Sequence, residues 1–413
     1  MKTYVEPSRR IPIYAEVDVV VIGGGSAGAA AAIAAARHGA DTLLIEQQGF
    51  LGGRVTASLL GVISGFRNPK LPAASNTVRG IAAEVIAELR KMDGLGRSPC
   101  EQQDFDPASG QLNYSYAVDT EKLKLLLIRM AEQAQCDFLL HTFAACPIVA
   151  ADRVQGVMIE NKSGRQAIFA RVVVDCTDNA DVAFRAGAVC HSDLPDDSFS
   201  RKPQLMYKLA GNMPDDLRFP GVMTKGTMLV SGPLATISGA SASDISRAEI
   251  ETRTQVLDHL DELKRSNPAL QFAYLVETPP CLALRRTRYI QGQYMLTEQD
   301  ALSGARFSDA VAISSSPIAH QCGAEVFLEH EGFDVPYRCL VPNNLNGLLV
   351  AGRGISSQHS PYESLRAPAC AMAIGQAAGV AAAIAADKNL SPRQIEVADV
   401  RQTLIQQGAR LFD

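Results

Sequence analysis

Residues 17–46 constrain the fold of this 413-residue chain more than any other stretch. Val17-Asp18-Val19-Val20-Val21-Ile22 is a short β-branched run, the pattern of a strand buried on both faces. Gly23-x-Gly25-x-x-Gly28 follows without a gap. An Ala-rich helix is expected from Ala29 to Arg37, with Gly39 placed to stop it. Thr42-Leu43-Leu44-Ile45 reads as a second buried strand ending at Glu46, eighteen residues after Gly28. Together these make a βαβ unit of about thirty residues. Gly23 suits a tight turn, Gly25 a close approach of backbone to a pyrophosphate, and Gly28 close packing of the helix. The pyrophosphate would sit at the positive helix N-terminus, and Glu46 would accept hydrogen bonds from a ribose.

Composition narrows the class. Hydrophobic residues make up 47% and charged residues 20%, which excludes a disordered chain. The net charge of -5 leaves no electrostatic footprint for nucleic acid or an anionic membrane. Nine cysteines stand singly, with no CxxC pair, so a disulfide framework, a zinc knuckle and a dithiol redox pair are all disfavoured. They read as reduced thiols in the core. No metal site is expected. Arg9-Arg10 mimics a twin-arginine signal, but Glu16 and Asp18 interrupt the approach, and the apolar run contains the Gly turn. No membrane span and a cytoplasmic location are the expectation.

Further along, helices are expected around Ile81–Lys91, from Glu121 to Gln133 behind an Asp119 cap, and over a polar stretch from Ser246 to Ser266. Phe138–His141, Val154–Glu160 and Gln166–Asp175 are strand-like, with a hairpin turn at Ser163-Gly164. From Leu345 the opening style returns. A buried strand runs into the turn at Gly352, and an Ala-rich helix covers Ala367 to Asp387. The expected fold is α/β: a Rossmann-like dinucleotide domain, a parallel sheet with helices on both faces, built from 1–191 and 336–413. An α+β substrate domain, 192–335, is inserted between its halves.

A second Gly pair, Gly52-Gly53, and a third Gly turn at Gly352-Arg353 point away from NAD. A nicotinamide dehydrogenase has no need to bring the end of its chain back to the nucleotide, whereas a flavoprotein with a split domain does. The chain resembles the FAD-dependent oxidoreductase family of glutathione-reductase-like flavoproteins, the group that also contains fumarate reductase flavoprotein subunits. The resemblance spans nearly the whole chain. It rests on VVVIGGGSAGAAAA with IEQQGFLGG, AVDTEKLKLLL, VVVDCTDNADVAFRAGA, LRRTRYIQGQYMLT and LLVAGRGISSQHSPYESLRAPACAMAIGQAAGVAAA.

The resemblance implies FAD contacts at Gly23, Gly25, Ser26, Ala27, Gly28, Glu46, Gln47, Gly52, Gly53 and Arg54. A middle strand would end near Ala144 and Ala145 at the adenine. Later contacts fall on Thr177, Asp178, Gly352 and Arg353, and on Ser364 and Leu365 at the start of the last long helix. That helix end is expected to face the flavin pyrimidine ring. The chain departs from the family at Cys176-Thr177-Asp178-Asn179-Ala180-Asp181, where ATGDGD is usual, and at Ala283, where Gly is usual. Asp178 puts a side chain where backbone normally passes FAD.

Candidate reacting groups are His359, Tyr362 and Arg366, just before the last long helix. His320 in the inserted domain joins them, as do Arg285 and Arg288, which would converge on a carboxylate. The implied activity is oxidation or reduction of a small organic substrate by hydride transfer to or from flavin N5. Two other readings stay open. One is a non-redox hydratase, isomerase or cyclase using reduced FAD, since no NAD(P)H module or second redox centre is recognisable. The other is an NAD-dependent dehydrogenase.

Overall fold

A computed structural model describes residues 3–68, 70, 77–96, 115–192, 202–211, 221–224, 226–236, 241–319 and 325–412. Its centre is a seven-stranded sheet of β1 (Ile13–Ile22), β2 (Thr42–Ile45), β3 (Asp137–Leu139), β4 (Phe143–Ala150), β5 (Arg153–Asn161), β6 (Gly164–Asp175) and β7 (Leu348–Val350). The order is β3-β2-β1-β6-β5-β4, and β7 pairs with β6. One side is parallel, as expected: β3 on β2, β2 on β1, β1 on β6 and β7 on β6. The other side is an antiparallel meander of β4, β5 and β6, so the sheet is mixed rather than wholly parallel. The turn between β5 and β6 is the expected hairpin, with Gly164 at φ 91.

The described helices are α1 (Ser26–Arg37), α2 (Ile81–Lys91), α3 (Thr120–Gln133), α4 (Asp181–Arg185), α5 (Ala242–Thr254), α6 (Val256–Ser266), α7 (Glu298–Ser303), α8 (His359–Leu365), α9 (Pro368–Asp387) and α10 (Val397–Gln406). Asp119 caps α3, its carboxylate accepting from the N–H groups of Glu121 and Lys122. The long polar helix differs from expectation. It starts earlier, at a Ser241 cap, and is broken into α5 and α6 at Gln255. Ser241 Oγ accepts from the Asp244 N–H at 3.1 Å, a cap placed before the polar run itself. The segment 359–365, whose last residues were expected to open the last long helix, forms a separate helix, α8.

Helix α9 begins with Pro at N1 and is apolar on every side, so it lies inside the fold. Among the described residues it alone is long and apolar enough to cross a membrane, yet 94% of its most apolar window is buried in the protein. It packs against α1 at backbone contact. A Cβ on Gly375 would stand 2.0 Å from the Ala27 carbonyl oxygen, and one on Gly379 2.0 Å from that of Ala31. The core around these helices includes Ile33, Val85, Leu123 and Val172, and also Val311 and Phe333 from the two-stranded pair Ala310–Ser314 and Phe333–Pro336. A separate core, with Tyr207, Met228, Val230 and Leu260, lies between the sheet of Gln204–Ala210, Gly221–Thr224, Thr227–Leu234 and Tyr274–Glu277 and helices α5 and α6.

Of the seven described cysteines, Cys136, Cys176, Cys339 and Cys370 are buried, as expected of core thiols. Cys146 is exposed on β4, because its position in the alternation faces solvent. Cys100 and Cys322 lie outside the described residues.

The α1–α9 contact leaves no room for a side chain. Gly379→Val is expected to lower the unfolding free energy by at least about 3 kcal/mol, read from the denaturant midpoint. An unchanged midpoint would mean that the helices can separate without loss.

Candidate functional site

Strands β1, β6 and β7 end side by side and feed three turns at one edge of the sheet. Cys176 N–H donates to Ile22 O at 2.9 Å and Ala351 N–H to Asp175 O at 2.9 Å. The first turn behaves as its sequence demands. Gly23 sits at φ 96, and a Cβ on Gly28 would fall 1.6 Å from Gly23 O. At Gly25 the nearest atom to an added Cβ is Gly53 Cα at 3.8 Å, so this face of the turn is open. The N–H groups of the first turn of α1 end there without helical partners.

That opening leads into a cavity of about 450 Å³. Of the residues expected to contact the cofactor, Gly23, Gly25, Glu46, Gln47, Gly53, Arg54, Thr177, Asp178 and Arg353 line it. Ser26, Ala27, Gly28, Gly52 and Gly352 stand behind that lining and shape it. Gly52 bridges to Gly25, its N–H donating to Gly24 O at 2.8 Å. A Cβ on Gly53 would lie 2.8 Å from Gly25 Cα. The second Gly pair therefore lets loop meet loop. Gly352, at φ 76, sets the third turn against Ala27.

Three expected contacts are corrected. Ala145 does not line this cavity, because β4 begins at Phe143 rather than ending there. Thr142, Phe143 and Ala144 take its place, and Ala145 O accepts from Arg185 Nη1 at 3.2 Å. Ser364 is turned away: its hydroxyl donates to Ser316 O at 2.6 Å and meets Ser314 Oγ at 2.7 Å. Leu365 is a core residue. Both belong to α8, whereas the last long helix, whose start they were expected to form, begins at Pro368.

Glu46 is buried, and its carboxylate accepts from Gly24 N–H at 2.6 Å and Gln48 N–H at 2.8 Å. Burial pushes its pKa up, and the two N–H groups oppose that rise. A carboxylate has further lone pairs to offer a ribose hydroxyl in the cavity. Thr177 is part of the second turn. Its hydroxyl donates to Asp175 Oδ1 at 2.6 Å and accepts from Asp181 N–H at 2.8 Å. Asp178 adopts φ 72, the left-handed conformation that favours glycine, and Asp tolerates it better than most residues. Its Oδ2 accepts from Arg353 Nη2 at 2.7 Å.

Beside the Gly turns the wall of the cavity is cationic. Arg54 lines it, and its Nε is buried without a hydrogen-bond partner. Burial, then the guanidiniums of Arg353 and Arg285, pull its pKa down to about 9. Such an uncompensated cation calls for an anion. Arg353 donates to Leu284 O at 2.7 Å as well as to Asp178. Burial opposes its charge, but Asp178 and then Tyr362 raise its pKa on balance. Ala57, Ser58, Cys281, Leu282 and Leu284 complete the lining, with Ile245 and Glu249 of α5. Sequence reasoning missed all of these. Cys281 and Ser58 meet at 3.6 Å across 223 residues, a contact with no local signature.

The candidate reacting groups divide. Tyr362 is buried, its hydroxyl accepts from the Arg286 N–H at 3.1 Å, and its ring lies 4.0 Å from the Arg286 guanidinium. His359 is half-buried, with its ring 5.9 Å from that of Tyr362. Arg366 is paired with Glu363, Nε to Oε2 at 2.7 Å. Arg285 neighbours Arg54 electrostatically, but Arg288 does not converge with it. Arg288 starts a short strand paired with Cys190–Ser192, reaches Asp181 at 3.2 Å and lies over the Phe184 ring at 3.8 Å. The residue missed is Arg286, 3% exposed, held between the rings of Tyr289 and Tyr362 at 4.1 and 4.0 Å. His320 lies outside the described residues. Among the described residues no group of His, Cys, Asp or Glu is placed to hold a metal ion.

The open Gly25 face, the α1 N-terminus and the unpartnered Arg54 Nε fit a dinucleotide diphosphate. Among solved structures the chain is similar to a flavin-dependent brominase, at 14% identity and TM-score 0.51, over 95% of this chain and 84% of that chain. It is also similar to the myxobacterial chondrochloren halogenase, a FAD-dependent halogenase, at 14% identity and TM-score 0.50, over 95% of this chain and 79% of that chain. At that identity the likeness shows the fold. No curated protein matches the chain by sequence. The FAD dependent oxidoreductase family matches residues 18–221 and 212–404, nearly the whole chain. The chain belongs to this family of flavoenzymes, and its cofactor is FAD rather than NAD.

Proposed function

We propose that this enzyme oxidises or reduces a small organic substrate by hydride exchange with flavin N5, the substrate carrying a carboxylate. One observation carries the reading. A single cavity runs from a ribose acceptor, Glu46, past an open Gly turn, to a cationic wall at Arg54 and Arg353 roofed by residues of the middle of the chain. When bound, FAD supplies two-electron chemistry at its ring system. The chain's own residues bind, orient and move protons. The α1 N-terminus, Arg54 and Arg353 hold the diphosphate, and Glu46 holds the ribose. Arg285 and Arg286 anchor the substrate carboxylate, with Arg286 fixed in orientation by its two tyrosine rings and by Ser357, whose Oγ accepts from Nη1 at 3.0 Å. His359 carries the proton, being the half-buried imidazole beside Tyr362. Residues 192–335 cover the substrate.

Anaerobic titration of the holoenzyme with a panel of small carboxylates and their uncharged esters tests the reading. A carboxylate that bleaches the flavin absorbance stoichiometrically, or reoxidises the reduced flavin, is the expected result. Steady turnover of substrate with no flavin redox change would replace this reading with a non-redox one. Arg54→Met is expected to weaken FAD binding by about 10- to 100-fold, the worth of a hydrogen bond to a charged group, in a fluorescence titration of the apoprotein. Unaltered affinity would take Arg54 out of the cofactor site.

A further inference from the structure

The Asp178–Arg353 pair stands where the proposed site would pass the diphosphate. Both side chains line the cavity beside Gly23, Gly25 and Arg54, and they meet at 2.7 Å. Arg353 is nearly buried, at 7% side-chain exposure, while Asp178 keeps 35% and faces the cavity space. Arg353 is also held by Leu284 O, so it cannot leave Asp178 by swinging outward without losing a second bond. A carboxylate beside a diphosphate repels it, and it also neutralises a guanidinium that would otherwise be available to the phosphates. Backbone conformation speaks for a purpose. At φ 72 a glycine would stand without strain, so the turn itself does not call for an aspartate, and what the residue adds here is its carboxylate.

We propose that Asp178 weakens the hold on the FAD diphosphate and thereby makes the flavin exchangeable. The Nε atoms of Arg54 and Arg353 both lack a hydrogen-bond partner, but Arg353 is paired with Asp178, so Arg54 becomes the main cationic ligand and Arg353 a half-neutralised one. This inference rests on the reading of the cavity as the FAD site. Its consequences fall on release of FAD and on the response to salt, both of which can be read without substrate.

Asp178→Asn keeps the size and the tolerance of the left-handed conformation, and Asp178→Gly removes the side chain altogether. Holoenzyme of each variant is diluted, and the fluorescence of released FAD is followed at several salt concentrations. Both variants are expected to bind FAD about tenfold more tightly than the unaltered protein, with slower release. Their affinity should also fall more steeply with salt, because Arg353 now faces the phosphates unscreened. A purely structural role for the pair would instead loosen FAD in both variants or leave the salt slope unchanged, and either result overturns the proposal. Arg54→Met, run beside them, separates the two ideas. If it loosens FAD while Asp178→Asn does not tighten it, the proposal alone fails. If it leaves FAD untouched, the site reading fails and takes the proposal with it.

Discussion

The backbone contact between α1 and α9 is the constraint on which the rest depends. Gly375 and Gly379 let α9 come so close that the carbonyl oxygens of Ala27 and Ala31 occupy the space of their missing side chains. The first helix of the chain and its last long helix are thereby fixed to each other within fractions of an ångström. The turn before α9 inherits that precision: Gly352 rests on Ala27, in the first turn of α1. Residues more than three hundred positions apart in sequence thus form one rim, and the Gly23 turn, the Asp178 turn and the Arg353 turn converge on it. The Ala-rich composition of both helices follows from the same cause, since a larger residue at the contact would force the rim open.

Electrostatics then decides what the rim can hold. Arg353, Arg285 and Arg366 all act on Arg54, which lines the cavity with Arg353. The carboxylates paired with them are Asp178 and Glu363. The surplus is cationic, in a place where desolvation makes an unmatched charge expensive. A diphosphate carries a charge on each phosphate and would offset that surplus. The acidic groups nearer the opening do different work. Asp175 is fully buried and accepts from Thr177 and Ala183, which shapes the turn that presents Asp178. Glu46 accepts from Gly24 and so holds the first turn against the end of β2.

The sequence made the cofactor end legible because each requirement there is local. A turn at φ 96, a backbone approach at Gly25 and an acceptor at the end of β2 must each be met by one residue type within one short segment. The α1–α9 pairing, by contrast, shows only as Ala and Gly in both helices, and no spacing rule says which helix meets which. The Arg285–Arg288 run shows the same limit at finer scale. Three arginines in four positions are visible in the sequence, but the direction of Arg288 depends on Asp181 and that of Arg286 on the rings of Tyr289 and Tyr362, and Asp181 and Tyr362 come from distant segments. So Arg286, passed over in sequence, is the one locked in place.

The far wall of the cavity explains why the middle of the chain carried so little signal. Ser58 donates to Leu282 O at 3.1 Å and Cys281 N–H to Ala57 O at 3.3 Å, so the segment 281–284 is stitched to the loop that follows Arg54. Glu249 of α5 accepts from Leu282 N–H at 2.8 Å and fixes that helix over the same segment. These are single hydrogen bonds between loops, with no periodicity to betray them. Their effect is specific all the same. They hold Leu284 O where Arg353 can donate to it, and Arg353 in turn holds Asp178. A middle segment that contributes no recognisable motif therefore still sets the charge seen at the cofactor turn, through one arginine shared between its backbone and a strained aspartate.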